Sequence, residues 1–277
     1  MQESDPNIAV IYQQAQQYDA IGDVYNAVKL YRRLLKLAPD WLPPYLNLAA
    51  IYKSRREWKP LLHYTKKAVA LDASLQDVWW DLGIAAQALG KMRLARTVWS
   101  KFGKKKNQNK LVSLQLNHSG MFELIWATAL DSVQAQIKSV PHPDSGLHFQ
   151  DIVLFDRQVV GYQVANRRRY PVFPELGLVK RSFFRTYSCI LESELPKDIR
   201  LLEKLCKESA LGFEVWSNAA RAKTIAGKKE YFDGSLFADA PMPLVAIAAK
   251  QAQEVEEVLA AWSVISLKSY THFEDHG

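Results

Sequence analysis

The chain has 277 residues, 48% of them hydrophobic and 23% charged, the proportions of an ordinary globular protein and a length that predicts one large or two modest domains. Collagen-like, mucin-like and wholly disordered chains are excluded. No apolar run approaches the roughly 18 residues of a membrane span, and residues 1–7 lack a basic region followed by an apolar stretch, so the expected compartment is cytoplasmic, with no membrane partner. The formal net charge is +7, yet residues 1–110 hold 18 basic against 9 acidic side chains while the remainder hold 18 against 20. The basicity is therefore N-terminal, which predicts two dissimilar domains.

From residue 8 the chain repeats itself every 34 residues. Aligned columns read Ile11, Tyr45, Trp79; Gln14, Leu48, Leu82; Ala15, Ala49, Gly83; and Tyr18, Tyr52, Ala86. A second set follows: Ala27, Leu61, Ala95; Tyr31, Thr65, Trp99; Leu34, Ala68, Phe102; and the terminators Pro39, Ala73 and Asn107. Apolar positions three and four apart have the helical period, and Gly22 and Gly90 stand where a first helix must turn into a second. Each unit is expected to be a helix hairpin, with the small residues Ala15, Ala49 and Gly83 letting paired helices approach. A single hairpin cannot bury its apolar face, so three are expected to stack.

These columns resemble the tetratricopeptide repeat (TPR) family, whose pattern of large residue, Leu, Gly or Ala, Tyr, then Ala, aromatic, Ala and Pro is met at most positions over about residues 8–108. The match is best in the third repeat, at Trp79, Leu82, Gly83, Ala95 and Trp99, and departs at Gln14, Thr65 and the missing prolines at Ala73 and Asn107. The resemblance implies a right-handed superhelix with a concave groove for a peptide or partner protein, lined by the first helix of each hairpin. On that register the expected peptide-binding residues are Tyr12, Gln16, Asn47, Lys53, Trp80, Asp81 and Gln87. A plainer reading packs Tyr12, Leu46 and Trp80 beneath the C-terminal domain. Co-chaperone members of the family grip a terminal carboxylate with Lys and Asn, then Asn, then Lys and Arg. This chain carries Tyr12, Gln16, Asn47, Asp77 and Asp81 there, so a carboxylate would meet repulsion and a chaperone-tail clamp is not expected.

Basic residues recur on the second helices and turns, at Lys29, Arg32, Arg33 and Lys36, at Lys53, Arg55, Arg56 and Lys59, and at Lys101, Lys104–106 and Lys110. A stripe of this kind on the convex face is either a contact for nucleic acid or an acidic protein, or a solvated surface. A nucleic-acid partner is the less favoured of these, because no row of aromatic stacking platforms accompanies the charge.

Beyond the Lys104–106 cluster the register fails. Residues 111–126 have helical spacing at Leu111, Leu114, Phe122, Ile125 and Trp126, interrupted at Ser119 and Gly120, and read as a capping helix. From Ser132 the period becomes two. Strands are expected at 133–137 and 152–155, the latter in a hairpin with 159–164, and at 183–191 and 213–216. Pro171 and Pro174 predict an edge segment or loop at 170–174, and Pro196 opens a helix with Ile199, Leu202, Leu205 and Cys206 on one face. Residues 227–243 read as a linker, and a last helix over 244–263 carries Val245, Ala248, Val255, Val258, Leu259 and Trp262 on an apolar stripe that either folds back on the chain or joins a second copy.

Candidate chemistry here is sparse. His142, Asp144 and His148 lie close enough in sequence for a metal but sit in a turn rich in Pro and Gly, the more ordinary reading. Arg167, Arg168 and Arg169 are a candidate anion-binding group. Cys189 and Cys206 match no metal or redox spacing and are expected reduced and buried. Ser188 has no glycine elbow, and no P-loop, dinucleotide or metalloprotease motif is present. No catalytic residue, metal or cofactor is therefore expected.

The expected fold class is α+β, with an all-α TPR domain of three hairpins plus a capping helix over 1–130. A β-rich α+β domain over 131–226 and a linker with C-terminal helix over 227–277 complete it. The expected function is a noncatalytic adaptor or scaffold binding a partner protein or peptide, as a monomer or a homodimer through its last helix. Two alternatives stay open: anion or nucleic-acid binding through the basic face, and an enzyme of unrecognised type in the C-terminal domain.

Overall fold

The computed structural model describes residues 6–101, 109–118, 121–165, 167–218, 221–225, 228–229 and 242–277. The chain divides into two compact units, Met1–Lys105 and Lys106–Gly277.

The first unit is three helix hairpins: α1 (Pro6–Ala20) with α2 (Val24–Leu37), α3 (Leu42–Ser54) with α4 (Trp58–Leu71), and α5 (Gln76–Ala88) with α6 (Met92–Lys101). The sequence period is reproduced in the backbone. At the three corresponding corners Gly22, Arg56 and Gly90 all have positive φ, near 79°, 58° and 66°. The amides of Asp23, Glu57 and Lys91 reach back to the carbonyls of Tyr18, Tyr52 and Ala86 at 2.9 Å or less. This is the left-handed stop that ends a helix and frees the next to begin; at Arg56 it is made without glycine. Successive hairpins share one apolar core, to which Ala15, Tyr31, Leu34, Leu48, Leu61 and Ala68 contribute fully buried side chains. Gly83 is required by contact: a Cβ there would lie 2.4 Å from the Trp99 ring. The columns at Phe102 and Asn107 and the Lys104–106 cluster lie outside the described residues.

Residues 111–126 do not form the expected capping helix. They belong to β1 (Lys110–His118) and β2 (Met121–Ala129), an antiparallel pair in register from Lys110↔Ala129 to His118↔Met121; Ser119 and Gly120 lie outside the described residues. The deciding pattern is the alternation Val112, Leu114, Leu116 and Ile125, Ala127, Ala129, all buried, whereas Leu111 is exposed. Intervals of three such as 111–114 and 122–125 arise by coincidence when both faces of a strand carry apolar residues. The last described helix of the repeat ends at Lys101, and β1 and β2, expected with the repeat, belong to the second unit.

That unit begins with a ring of strands. β2 pairs with β3 (Gln134–Ile137), β3 with β4 (Ile152–Phe155), β4 with β6 (Arg168–Lys180), and β6 returns in parallel to β1, closing a five-stranded barrel. Alternate side chains fill it, among them Leu114, Leu116, Ile125, Ile137, Val153 and Phe155. The expected hairpin of 152–155 with 159–164 does not form. A strand buried on both sides needs two neighbours, and β4 takes β3 and β6, while β5 (Gly161–Ala165), with Tyr162 and Val164 exposed, pairs with the first half of β6. The two prolines lie inside β6 rather than in an edge loop. β6 changes partners around them, pairing with β5 up to Val172 and with β4 from Glu175, so each missing N–H falls near the exchange and the Pro174 carbonyl still accepts from Asp156 at 3.0 Å. β9 (Arg221–Ile225) and β10 (Lys228–Lys229) extend the sheet from β2.

The remaining elements run β7 (Arg185–Leu191), α7 (Pro196–Glu208), β8 (Gly212–Val215), β11 (Leu244–Ala249), α8 (Ala252–Ser266), β12 (Tyr270–Asp275). Their antiparallel sheet has the order β12-β7-β11-β8, the βαββαβ arrangement of ferredoxin-like folds. The helix expected over 244–263 begins only at Ala252. Residues 244–249 alternate, and Val245, Ile247 and Ala249 join Tyr187, Cys189 and Leu191 beneath the helices. Val255, Val258, Leu259 and Trp262 of α8 complete that core, so the stripe considered for docking to the repeats or to a second copy is consumed within its own layer. The other sheet face, at Ala246 and Ala248, packs against Val140, Phe184 and Trp216. Of the expected linker, residues 227 and 230–241 lie outside the described residues.

Candidate functional site

The expected peptide-binding residues fall into two groups. On α1 and α3, Tyr12 and Asn47 are half-buried and Gln16 is exposed. Asn47 Nδ2 donates to Tyr12 Oη at 3.0 Å, while the Tyr12 ring lies 4.8 Å from that of Trp41 and 6.0 Å from that of Tyr31. One hairpin further, Lys53 Nζ meets Asp81 Oδ1 at 2.6 Å, both half-buried. Each pair joins first helices of adjacent hairpins, so these side chains are held in place before any partner arrives. On α5, by contrast, Trp80 and Gln87 are buried. The Trp80 ring packs edge-on against Trp99 at 5.0 Å and Gln87 Oε1 accepts from Trp99 Nε1 at 3.4 Å. The structure thus gathers Tyr12, Gln16, Asn47, Lys53 and Asp81 on partly exposed positions, and places Trp80 and Gln87 in packing. Repeat spacing alone treated all seven alike, because it assigns a face without saying what covers it.

Of the expected basic stripe, Lys29, Arg32, Arg33, Lys36 and Arg55 line one cleft, other basic side chains line a second, and Lys53 is instead paired with Asp81. The larger, about 640 Å³, lies between α2 and the corner of α3 and α4. Its floor includes Val24, Val28 and Tyr52, and its walls Lys29, Arg33 and Lys36. Arg32 is pinned across it, Nη2 to Tyr52 Oη at 2.8 Å and Nε to Tyr64 Oη at 3.2 Å, and the hydrogen bond to Tyr64 raises its pKa further above the ordinary guanidinium value. A second cleft of about 590 Å³ is lined by Lys66, Lys91, Arg93 and Arg96.

In the second unit Arg167, Arg168 and Arg169 are exposed at the hairpin of β5 and β6. Successive strand residues point to opposite faces, so Arg168 and Arg169 do not converge on one anion. His142 Nδ1 lies 3.4 Å from Asp144 Oδ2, and no group of three or more metal-ligating side chains occurs among the described residues. Burial pushes the Cys189 and Cys206 thiols up to about 12, far from a reactive thiolate. One contact escaped the sequence: His276 Nε2 lies 2.8 Å from Ser188 Oγ, brought there by β12 pairing with β7. Ser188 is only 4% exposed in mid-strand, out of reach of an acyl substrate, and the pair reads as a satisfied buried hydroxyl. Nothing in local spacing signals a partner 88 residues away. No helix among the described residues is long and apolar enough to cross a membrane.

No family model matches the chain. Among solved structures, yeast Tom70 is 25% identical over 39% of this chain and 22% of its own, with a TM-score of 0.34. The Sgt2 TPR domain from Aspergillus fumigatus is 21% identical over 35% of this chain and 64% of its own, at 0.31. A hypothetical protein from Neisseria gonorrhoeae is 14% identical over 59% of this chain and 93% of its own, at 0.27. The chain thus spans about a fifth of the Tom70 chain and under two thirds of the Sgt2 chain. With its 34-residue period carried through three helix hairpins, the N-terminal segment of this chain is TPR-like.

Proposed function

We propose that the protein is a noncatalytic adaptor whose helical unit holds a segment of a partner protein along the face formed by Tyr12, Gln16, Asn47, Lys53 and Asp81. The observation that supports this reading is the pair of cross-hairpin contacts, Asn47 to Tyr12 and Lys53 to Asp81. They fix polar groups of neighbouring hairpins at partly exposed positions, which lowers the ordering entropy that a partner must offset. Trp80 and Gln87 then act beneath the surface, keeping α5 and α6 together, rather than as contacts.

The test begins with a protein captured by the full chain, whose bound segment is mapped and titrated as a peptide. Tyr12→Ala with Asn47→Ala should weaken binding by roughly tenfold or more, as truncation of anchoring residues does, with helicity unchanged. Equal affinity for the variant and the parent would remove this face from consideration.

A further inference from the structure

The large cleft beside α2 lies apart from the face just described, since its walls come from α2 and the corner of α3 and α4. Within it Tyr25 is 77% exposed above Val24 and Val28. Lys29, Arg33 and Lys36 stand along α2, and no ion pair involves them among the described residues. Arg55 is met by Glu57 at 2.5 Å. Lys29 with Arg33, and Arg32 with Lys36, are like charges four apart on one helix, an arrangement that destabilises a helix. Arg32 is held by two tyrosine hydroxyls rather than by a carboxylate.

The next repeat continues the pattern. At the 34-residue spacing Arg32 corresponds to Lys66 and the acidic Glu57 to the basic Lys91, and both of these lysines line the second cleft. Two cleft walls in succession therefore carry positive charge, with Met92 and Leu94 as apolar surface in the second. A merely solvated face explains scattered lysines, but not an apolar hollow with an exposed aromatic framed by mutually repelling cations.

We propose that these clefts, and the one beside α2 first, dock an acidic amphipathic segment of a partner protein. An aromatic or aliphatic side chain enters over Val24, Val28 and Tyr52 beside Tyr25, and flanking carboxylates meet Lys29, Arg33 and Lys36. Apolar anchoring within a charged rim is the usual anatomy of a protein contact, and clustered cations select acidic motifs. Single-stranded nucleic acid fits less well, because it needs successive stacking platforms along a groove and Tyr25 is the one strongly exposed aromatic lining this cleft.

The experiment titrates the full chain with a short labelled peptide rich in Glu that carries one Phe and one Leu. A copy with Ser at both apolar positions and a single-stranded oligothymidylate of similar charge serve as comparison probes. The Phe/Leu peptide should bind at low salt and weaken roughly tenfold when Ser replaces the anchors. It should weaken roughly thirty-fold with Arg33→Glu plus Lys36→Glu, both exposed positions where the fold tolerates change, and several-fold with Tyr25→Ser. Tyr12→Ala with Asn47→Ala should leave it unchanged. Equal binding of the Ser copy, undiminished binding to the charge-reversed chain, or preferential binding of oligothymidylate each overturns the proposal. Loss only in the Tyr12/Asn47 variant would move the acidic segment to the other face, overturning this inference while leaving the adaptor reading intact.

Discussion

In the helical unit each hairpin packs on its neighbours in sequence, α2 against α3 and α4 against α5. The second unit closes through pairings distant in the chain, Ser113 with Val172 across β1 and β6, and Tyr187 with Asp275 across β7 and β12. Repeat arrays distribute stability as a sum of units and interfaces. A closed barrel and a four-stranded sheet offer no comparable place to stop, because removing any barrel strand, or either central strand β7 or β11 of the sheet, leaves two neighbours with unpaired backbone. The same perturbation should stay local in the first unit and spread in the second.

The largest expected effect lies under the sheet. Trp262 is fully buried among β7, β11 and both helices, and its Nε1 donates to the Asp198 carbonyl at 2.8 Å. Trp262→Ala should cost about 3–5 kcal/mol, with hydrogen exchange accelerating together in α7, α8, β7, β11 and β12; acceleration confined to α8 would break the comparison. In the helical unit Gly83→Ala forces a Cβ against the Trp99 ring and should cost about 1–3 kcal/mol. Faster exchange is expected in α5 and α6 but not in α1 and α2, and loss of protection throughout the unit would show that the hairpins do not act as separable repeats.

The smallest effect sharpens the contrast through protonation. Both cysteines belong to the second unit, where burial raises their pKa from the ordinary 9.0 to about 12. The folded state therefore keeps protons that the unfolded chain gives up, so this contribution is full below about pH 9 and is lost as pH rises toward 12. Neither thiol should react with a thiol reagent at pH 8 until the unit opens. A Cys189→Ala, Cys206→Ala variant should lose stability less steeply over that pH range than the parent; parallel slopes would show the thiols to be accessible in the folded state.

How much was legible follows the same division. Tyr31, Leu34, Leu48 and Leu61 were placed in a core by spacing alone, as were the corners at Gly22 and Gly90. Leu111 and Leu114 misled, since an interval of three occurs in a strand with two apolar faces as readily as in a helix. Val245 and Ala248 misled similarly at the head of α8. For the candidate site, the repeat register found Tyr12 and Asn47 but could not separate them from the buried Trp80 and Gln87. It located the basic residues without revealing the hollow beneath them.

The sequence by itself determined the three hairpins and the burial of both cysteines, because a helix hairpin is specified by contacts a few residues apart and a repeat states them three times, and a cysteine outside any metal or redox spacing is a small apolar side chain. Only the tertiary structure decided the closure of β1 on β6, the position of β11 between β7 and β8, the meeting of Ser188 with His276 and the exposure of Tyr25 above an apolar floor. Those depend on which distant segments fit one another, and no single stretch of sequence contains both halves of such a fit.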